Sequence, residues 1–224
     1  MADPLFWGVG VPRGRGRLVL VIPGLFANDI YLRPFRTWLS RIGYLPVHSS
    51  LAVNAGCHER CSRQVGAQLE ARMRDKPGRV AVIGHSRGGM LAWAIAARLG
   101  DQVSHLALLG SPVGGFHRMS QEDLERGRMP AAARPVVEAG LRVRQVLDPD
   151  CRFPACGCPF PTDVRRPLDA ATRVLSIYSR DDTVVPREAS AVPGVRSVEV
   201  GGTHSGLVYN RDAYREVAAL LATD

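Results

Sequence analysis

Two periods of apolar residues alternate along the chain. The run Arg17-Leu18-Val19-Leu20-Val21-Ile22 is apolar from its second residue and ends at Pro23-Gly24. Such a run reads as a strand buried on both faces. Residues 30–42 then place Tyr31, Phe35, Trp38 and Leu39 near one helical face, with Gly43 as the stop. Residues 44–48 form a short strand near a sheet edge, because Pro46 has no N–H for a central ladder. Residues 58–76 carry Val65, Leu69 and Met73 at helical spacing. A β-branched strand at 79–83, a helix at 89–99 and a strand at 102–109 follow. The alternation resumes with strands at 172–178 and 195–200 and a helix at 211–221. Strand–helix alternation of this kind predicts the α/β class, with a mostly parallel six-stranded sheet flanked by helices.

The middle of the chain breaks the pattern. Residues 121–126 and 132–147 read as helices joined around Pro130, and a Pro- and Cys-rich loop runs from 148 to 167. The expected organisation is a core built from residues 1–110 and 169–224, with a helical, Cys-rich cap insertion at 111–168.

Composition changes little in this picture. With 224 residues, 46% hydrophobic and 22% charged, the chain is long enough to bury a sizeable core. No run of apolar residues is long enough to span a bilayer, so no stable membrane anchor is expected. Met1-Ala2-Asp3-Pro4 lacks a basic n-region and an apolar h-region, which makes a cytoplasmic location the expectation. The net charge of +8 raises the question of nucleic acid. Lys76 is the only lysine, and the arginines are spread from Arg13 to Arg215 with no nucleic-acid-binding motif beside them. An arginine-rich solvated surface is expected rather than a nucleic-acid partner, although long-range attraction for anionic substrates or acidic partners stays open.

Candidate chemistry starts at Gly84-His85-Ser86-Arg87-Gly88. This G-x-S-x-G pentapeptide follows a short strand and opens a helix. A serine on so sharp a turn needs small neighbours, because the backbone before and after it passes close by. The helix N-terminus aims free N–H groups and a positive dipole end at the place where an oxyanion would form. In this context the chain resembles the α/β-hydrolase superfamily, and its small lipase- or esterase-like members in particular. The resemblance extends from about Arg17 to Leu221 and is weakest in the middle segment.

What the resemblance implies can be set on residues. Ser86 is the expected nucleophile. The general base is His204, in Gly201-Gly202-Thr203-His204-Ser205-Gly206, a flexible loop between the last strand and the last helix. His48, His58, His85, His105 and His117 fit that role less well, and His85 is expected to point away from the serine and to pack. The acid is Asp182, which stands just past a strand and before Val185-Pro186; Asp181 is the alternative. Such an acid holds the imidazole tautomer and stabilises the imidazolium. The oxyanion hole takes one backbone N–H from Arg87 and one from the loop after the first strand, where Leu25 is first choice and Phe26 second. Relatives commonly have His-Gly in that loop; here Pro23 replaces the histidine, which puts the loop's anchoring hydrogen bond in doubt. Phe26 and Met90 are expected to line an apolar acyl pocket.

Five cysteines leave three states open. Cys57, Cys61, Cys151, Cys156 and Cys158 can stay free thiols, form disulfides or bind metal, and their spacing is not a standard C-x2-C pair. None has partners as well placed as those of Ser86, so a structural role is expected. No cofactor motif is present, and neither a cofactor nor a metal is expected. The expected activity is cleavage of a carboxylic ester or thioester of a small-molecule acyl substrate through an acyl-enzyme on Ser86. Acyl transfer, cyclisation or elimination at the same residues is the alternative, as is a catalytically silent binding protein.

Overall fold

The computed structural model describes residues 3–120, 122, 134–151 and 157–223. Six strands, β1 (Leu18–Ile22), β2 (Leu45–Val47), β3 (Val80–His85), β4 (Val103–Leu109), β5 (Arg173–Ser179) and β6 (Arg196–Val200), form one sheet in the order β2-β1-β3-β4-β5-β6. Every pairing is parallel. β2 lies at the edge, where Pro46 leaves no central ladder bond unmade.

Alternate residues of each central strand feed two separate cores. Leu18, Leu20 and Ile22 of β1, with Val80 and Val82 of β3 and Leu106 and Leu108 of β4, pack on one face. There they meet α2 (His58–Asp75) and α3 (Arg87–Leu99) through Val65, Leu69, Leu91 and Ile95. Val19, Val21, Ala81, Ile83, Ala107 and Leu109 face the other way. They meet α1 (Arg33–Arg41) and the C-terminal helix (Arg211–Leu221) through Phe35, Trp38, Tyr214 and Val217. Burial on both faces is why these strands read as continuous apolar runs. Among the described residues no helix is long and apolar enough to cross a membrane.

The middle segment contains α4 (Val113–Arg118), α5 (Arg134–Leu147) and α6 (Phe160–Asp163). The sequence predicts neither α4 nor α6, because one is six residues long and the other four, too short to show a period. The helix expected at 121–126 lies outside the described residues, apart from Glu122. α7 (Arg187–Ser190) is a further single turn, and the C-terminal helix is α8. α1 starts at Arg33, three residues later than expected, with Pro34 in its first turn.

One ionic network fastens the middle segment to the core. Arg98 of α3 donates Nε–H to Asp163 Oδ2 at 2.7 Å and Nη1–H to Ser62 Oγ at 3.0 Å, and pairs with the Glu59 carboxylate through Nη2. Burial would lower the basicity of Arg98, but hydrogen bonds to Asp163 and Glu59 outweigh it and hold the guanidinium above its ordinary pKa. The Asp163 side chain is 3% exposed and keeps Arg166 as its other partner, at 3.1 Å. Arg98→Met therefore leaves two buried carboxylates short of donors, and stability should fall by about 3 kcal/mol. Urea unfolding at pH 7 measures this; unchanged stability would show that solvent replaces the arginine.

Candidate active site

The polypeptide turns sharply at Ser86, with φ 53° and ψ −125°. A side chain in that region is strained by roughly 1–3 kcal/mol. Neighbouring bonds hold it there: Ser86 N–H donates to Leu109 O at 2.8 Å, and Gly89 N–H donates to Ser86 O at 3.0 Å. The turn works only because two flanking residues have no side chain. A Cβ on Gly84 would lie 2.4 Å from Gly88 O, and one on Gly88 would lie 2.4 Å from Ile22 O and Pro23 O. Ser86 thus stands between the end of β3 and the start of α3, only 6% exposed.

Asp182 and His204 come from the loops after β5 and β6. His204 Nδ1 donates to Asp182 Oδ2 at 2.7 Å, and the Asp182 side chain is fully buried. Asp182 Oδ1 accepts from Val184 N–H and Val185 N–H, each at 2.8 Å. Burial alone would raise the Asp182 carboxyl. The hydrogen bond from His204, the two backbone donors and the charge attraction to His204 together hold it below its ordinary value. The dyad sits beside the β4 end that holds Ser86: a Cβ on Gly110 would lie 3.2 Å from Asp182 Oδ2 and 3.3 Å from His204 Nδ1. No hydrogen bond joins Ser86 Oγ to the His204 ring among the described residues. Such a contact commonly tightens only when substrate arrives.

Asp181 is used differently. Its Oδ2 accepts from Gly202 N–H at 3.0 Å, so it braces the loop that carries His204. Three carbonyls of that loop are tied by side chains. Tyr31 Oη donates to Ser205 O at 2.7 Å, Asn210 Nδ2 to Gly201 O at 2.7 Å, and His85 Nε2 to His204 O at 3.0 Å.

His85 does not turn away from the site, contrary to the expectation from the sequence. Its ring lies 4.8 Å from that of His204, centroid to centroid. Burial, then repulsion from His204, pushes its pKa down to about 4, so it is neutral at pH 7. Its buried Nδ1 has no hydrogen-bond partner, which agrees with a tautomer protonated on Nε2. His48 is exposed, His58 and His105 are buried, and His117 bonds Val164 O at 3.0 Å.

The loop after β1 approaches the serine closely, since a Cβ on Gly24 would lie 3.2 Å from Ser86 Cβ. Phe26 N–H donates to Asn54 O at 3.1 Å and is thereby occupied. Leu25 N–H and Arg87 N–H have no acceptor among the described residues. Phe26 is 45% exposed at φ 60°, whereas Met90 is buried in the core beside α2. α5 packs against this loop: a Cβ on Gly140 would lie 3.1 Å from Leu25 Cδ2.

Two features are not read from the sequence. The Arg87 guanidinium is buried rather than on the surface, and Asn54 is fully buried beside it. Asn54 stands in Leu51-Ala52-Val53-Asn54-Ala55-Gly56, and a lone amide among small and apolar residues is the available signal. The buried Cys61 thiol has its pKa pushed up by desolvation, against the charge of nearby Arg87, which lowers it. Cys57 and Cys61 are free thiols, and Cys158 is in a disulfide. Cys57, Cys151 and Cys158 line one cavity of about 830 Å³ with Asp148. Cys156 lies outside the described residues. Among the described residues no three His, Cys, Asp or Glu side chains are grouped as metal ligands.

No family model and no curated protein matches the chain. Solved structures do. A monoacylglycerol lipase of Paleococcus ferrophilus superposes with a TM-score of 0.58 at 13% identity, covering 95% of this chain and 96% of the other. The thioesterase domain of the curacin biosynthetic pathway gives 0.53 at 17% identity, with 95% and 93% covered. Proline iminopeptidase of Mycobacterium smegmatis gives 0.54 at 17% identity, with 95% and 91% covered. The chain has the α/β-hydrolase fold.

Proposed function

We propose that the protein is a serine hydrolase that cleaves a carboxylic ester or thioester through an acyl-enzyme on Ser86. The reading rests chiefly on one observation: a serine strained into the elbow at φ 53° is held at the end of β4, and an Asp182–His204 pair bonded at 2.7 Å flanks that same strand end at Gly110. In this reading His204, oriented by Asp182, takes the Ser86 proton as Oγ attacks the acyl carbon. Leu25 N–H and Arg87 N–H stabilise the tetrahedral oxyanion. His204 then protonates the leaving group, and water, deprotonated by His204, releases the acid. The substrate is a small-molecule acyl compound, and residues 111–168 act as the cap that shapes its pocket.

The fold alone would not support this, since one fold hosts many functions. The neighbours are named as a lipase, a thioesterase and a peptidase, which agrees with the reading. Labelling with a fluorophosphonate probe tests it: one adduct on Ser86, lost in Ser86→Ala, is expected. A folded protein that takes no label would point to a silent scaffold.

Acyl transfer is the second reading, favoured by the burial of Ser86, which is 6% exposed, because a site that limits water lets another acceptor compete. A product assay with an added alcohol separates the two, since transfer gives the new ester and hydrolysis gives the free acid.

A further inference from the structure

The loop from Pro23 to Ala27 carries one proposed oxyanion donor and begins with a residue that has no N–H. Something else must hold it, because an oxyanion hole works only when its donors are fixed before charge develops. Asn54, from the segment between β2 and α2, meets this loop at three points. Its Nδ2 donates to Pro23 O at 2.7 Å, its N–H donates to Ala27 O at 2.9 Å, and its carbonyl accepts from Phe26 N–H at 3.1 Å. Leu25 lies between these tethers with its own N–H unused.

The fourth bond of Asn54 leads to the other donor. Arg87 Nη1 donates to Asn54 Oδ1 at 2.7 Å, and Nη2 donates to Gly56 O. Both Arg87 and Asn54 are buried. No carboxylate pairs with this guanidinium among the described residues, and burial lowers its basicity. A buried cation without a counter-ion is destabilising by several kcal/mol, so its place asks for a reason.

We propose that Asn54 and the Arg87 side chain form a clamp that positions the oxyanion hole. Arg87 offers its backbone N–H as one donor. Its side chain reaches through Asn54 to the loop that presents the other, Leu25 N–H. The separation of the two donors is set by consecutive buried hydrogen bonds, from Arg87 to Asn54 and from Asn54 to Pro23 O. Asn54 is a positioning residue, since it touches neither substrate nor nucleophile. It takes up the anchoring duty that Pro23 cannot perform. This inference rests on the acyl-enzyme reading.

Asn54→Asp is the informative variant. It keeps the volume and the acceptor for Arg87, and adds an ion pair that offsets the bond it loses, so the variant should remain folded. It loses the donor to Pro23 O and sets a carboxylate oxygen against that carbonyl. The variant and the wild type are compared on an aryl ester and on the matching thionoester, whose developing sulfur anion profits little from an oxyanion hole. Expected on the ester is a fall in kcat of about 10- to 100-fold with KM nearly unchanged, since a misplaced donor costs about that much. The thionoester should lose far less, so the ester-to-thionoester rate ratio collapses. Should Asn54→Asp fail to fold, Asn54→Ser gives the same comparison. An unchanged ratio in a folded variant, with wild-type Ser86 still labelled by fluorophosphonate, overturns the clamp alone. A wild type that takes no label overturns the acyl-enzyme reading and the clamp with it.

Discussion

Ser86→Ala should lower kcat by about 10⁵- to 10⁶-fold on any substrate the protein hydrolyses, with the fold intact. A small rate above water should persist, because the oxyanion donors and binding act without the nucleophile. The fold should survive because the Ser86 side chain makes no hydrogen bond that the structure needs. Ser86→Gly sharpens the test. At φ 53° a glycine is relaxed where serine is strained, so this variant should unfold at a higher temperature than wild type while being just as inactive. Steady-state kinetics and thermal denaturation of the two variants check both halves. Retained activity in Ser86→Ala would remove the proposed nucleophile. Equal melting of Ser86→Gly and wild type would mean that the elbow stores no usable strain.

The strands and long helices are legible because burial on both faces writes itself as apolar runs, and burial on one face writes itself as a helical period. What escapes the sequence is short or distant. α4 and α6 are shorter than the period that would announce them. The His204 loop reads as flexible because it is rich in glycine, yet partners 119 and 174 residues away tie its carbonyls. His85 reads as packing because strand alternation says nothing about a residue at the strand's last position, where the chain turns. The partners of Asn54 escape the sequence for the same kind of reason, since its bonds to Pro23 and Arg87 span 31 and 33 residues and only its lone amide among small and apolar neighbours signals it. The choice between Leu25 and Phe26 also needs the structure, since only there is Phe26 N–H seen to be taken. Pro23, by contrast, is visible in the sequence as a residue that brings no N–H to its loop, and in the structure its carbonyl accepts from Asn54.

Asp182→Asn should lower kcat by about 10⁴-fold with little change in KM. The amide can still accept from Val184 N–H and Val185 N–H through its oxygen. Its nitrogen then faces His204 Nδ1 as a donor, where the carboxylate had been an acceptor. The imidazole must turn a lone pair towards the new amide and carry its proton on Nε2. In that tautomer it cannot take the proton of Ser86. Asp181→Asn offers the control, because Asp181 only accepts from Gly202 N–H, and its loss should reduce kcat no more than about tenfold by loosening the loop. If Asp181→Asn were the crippled variant and Asp182→Asn were active, the acid would be Asp181. Stability against pH gives an independent reading of the same carboxylate. Its pKa is lower in the folded protein than the ordinary 3.8, so it stabilises the fold at pH values above 3.8. That contribution is lost as pH falls below 3.8 and through the folded value. Urea unfolding of wild type and Asp182→Asn should therefore differ most near neutrality and converge in acid. A difference that stayed constant from pH 7 to pH 3 would mean that Asp182 is not held ionised by His204 and the backbone donors around it.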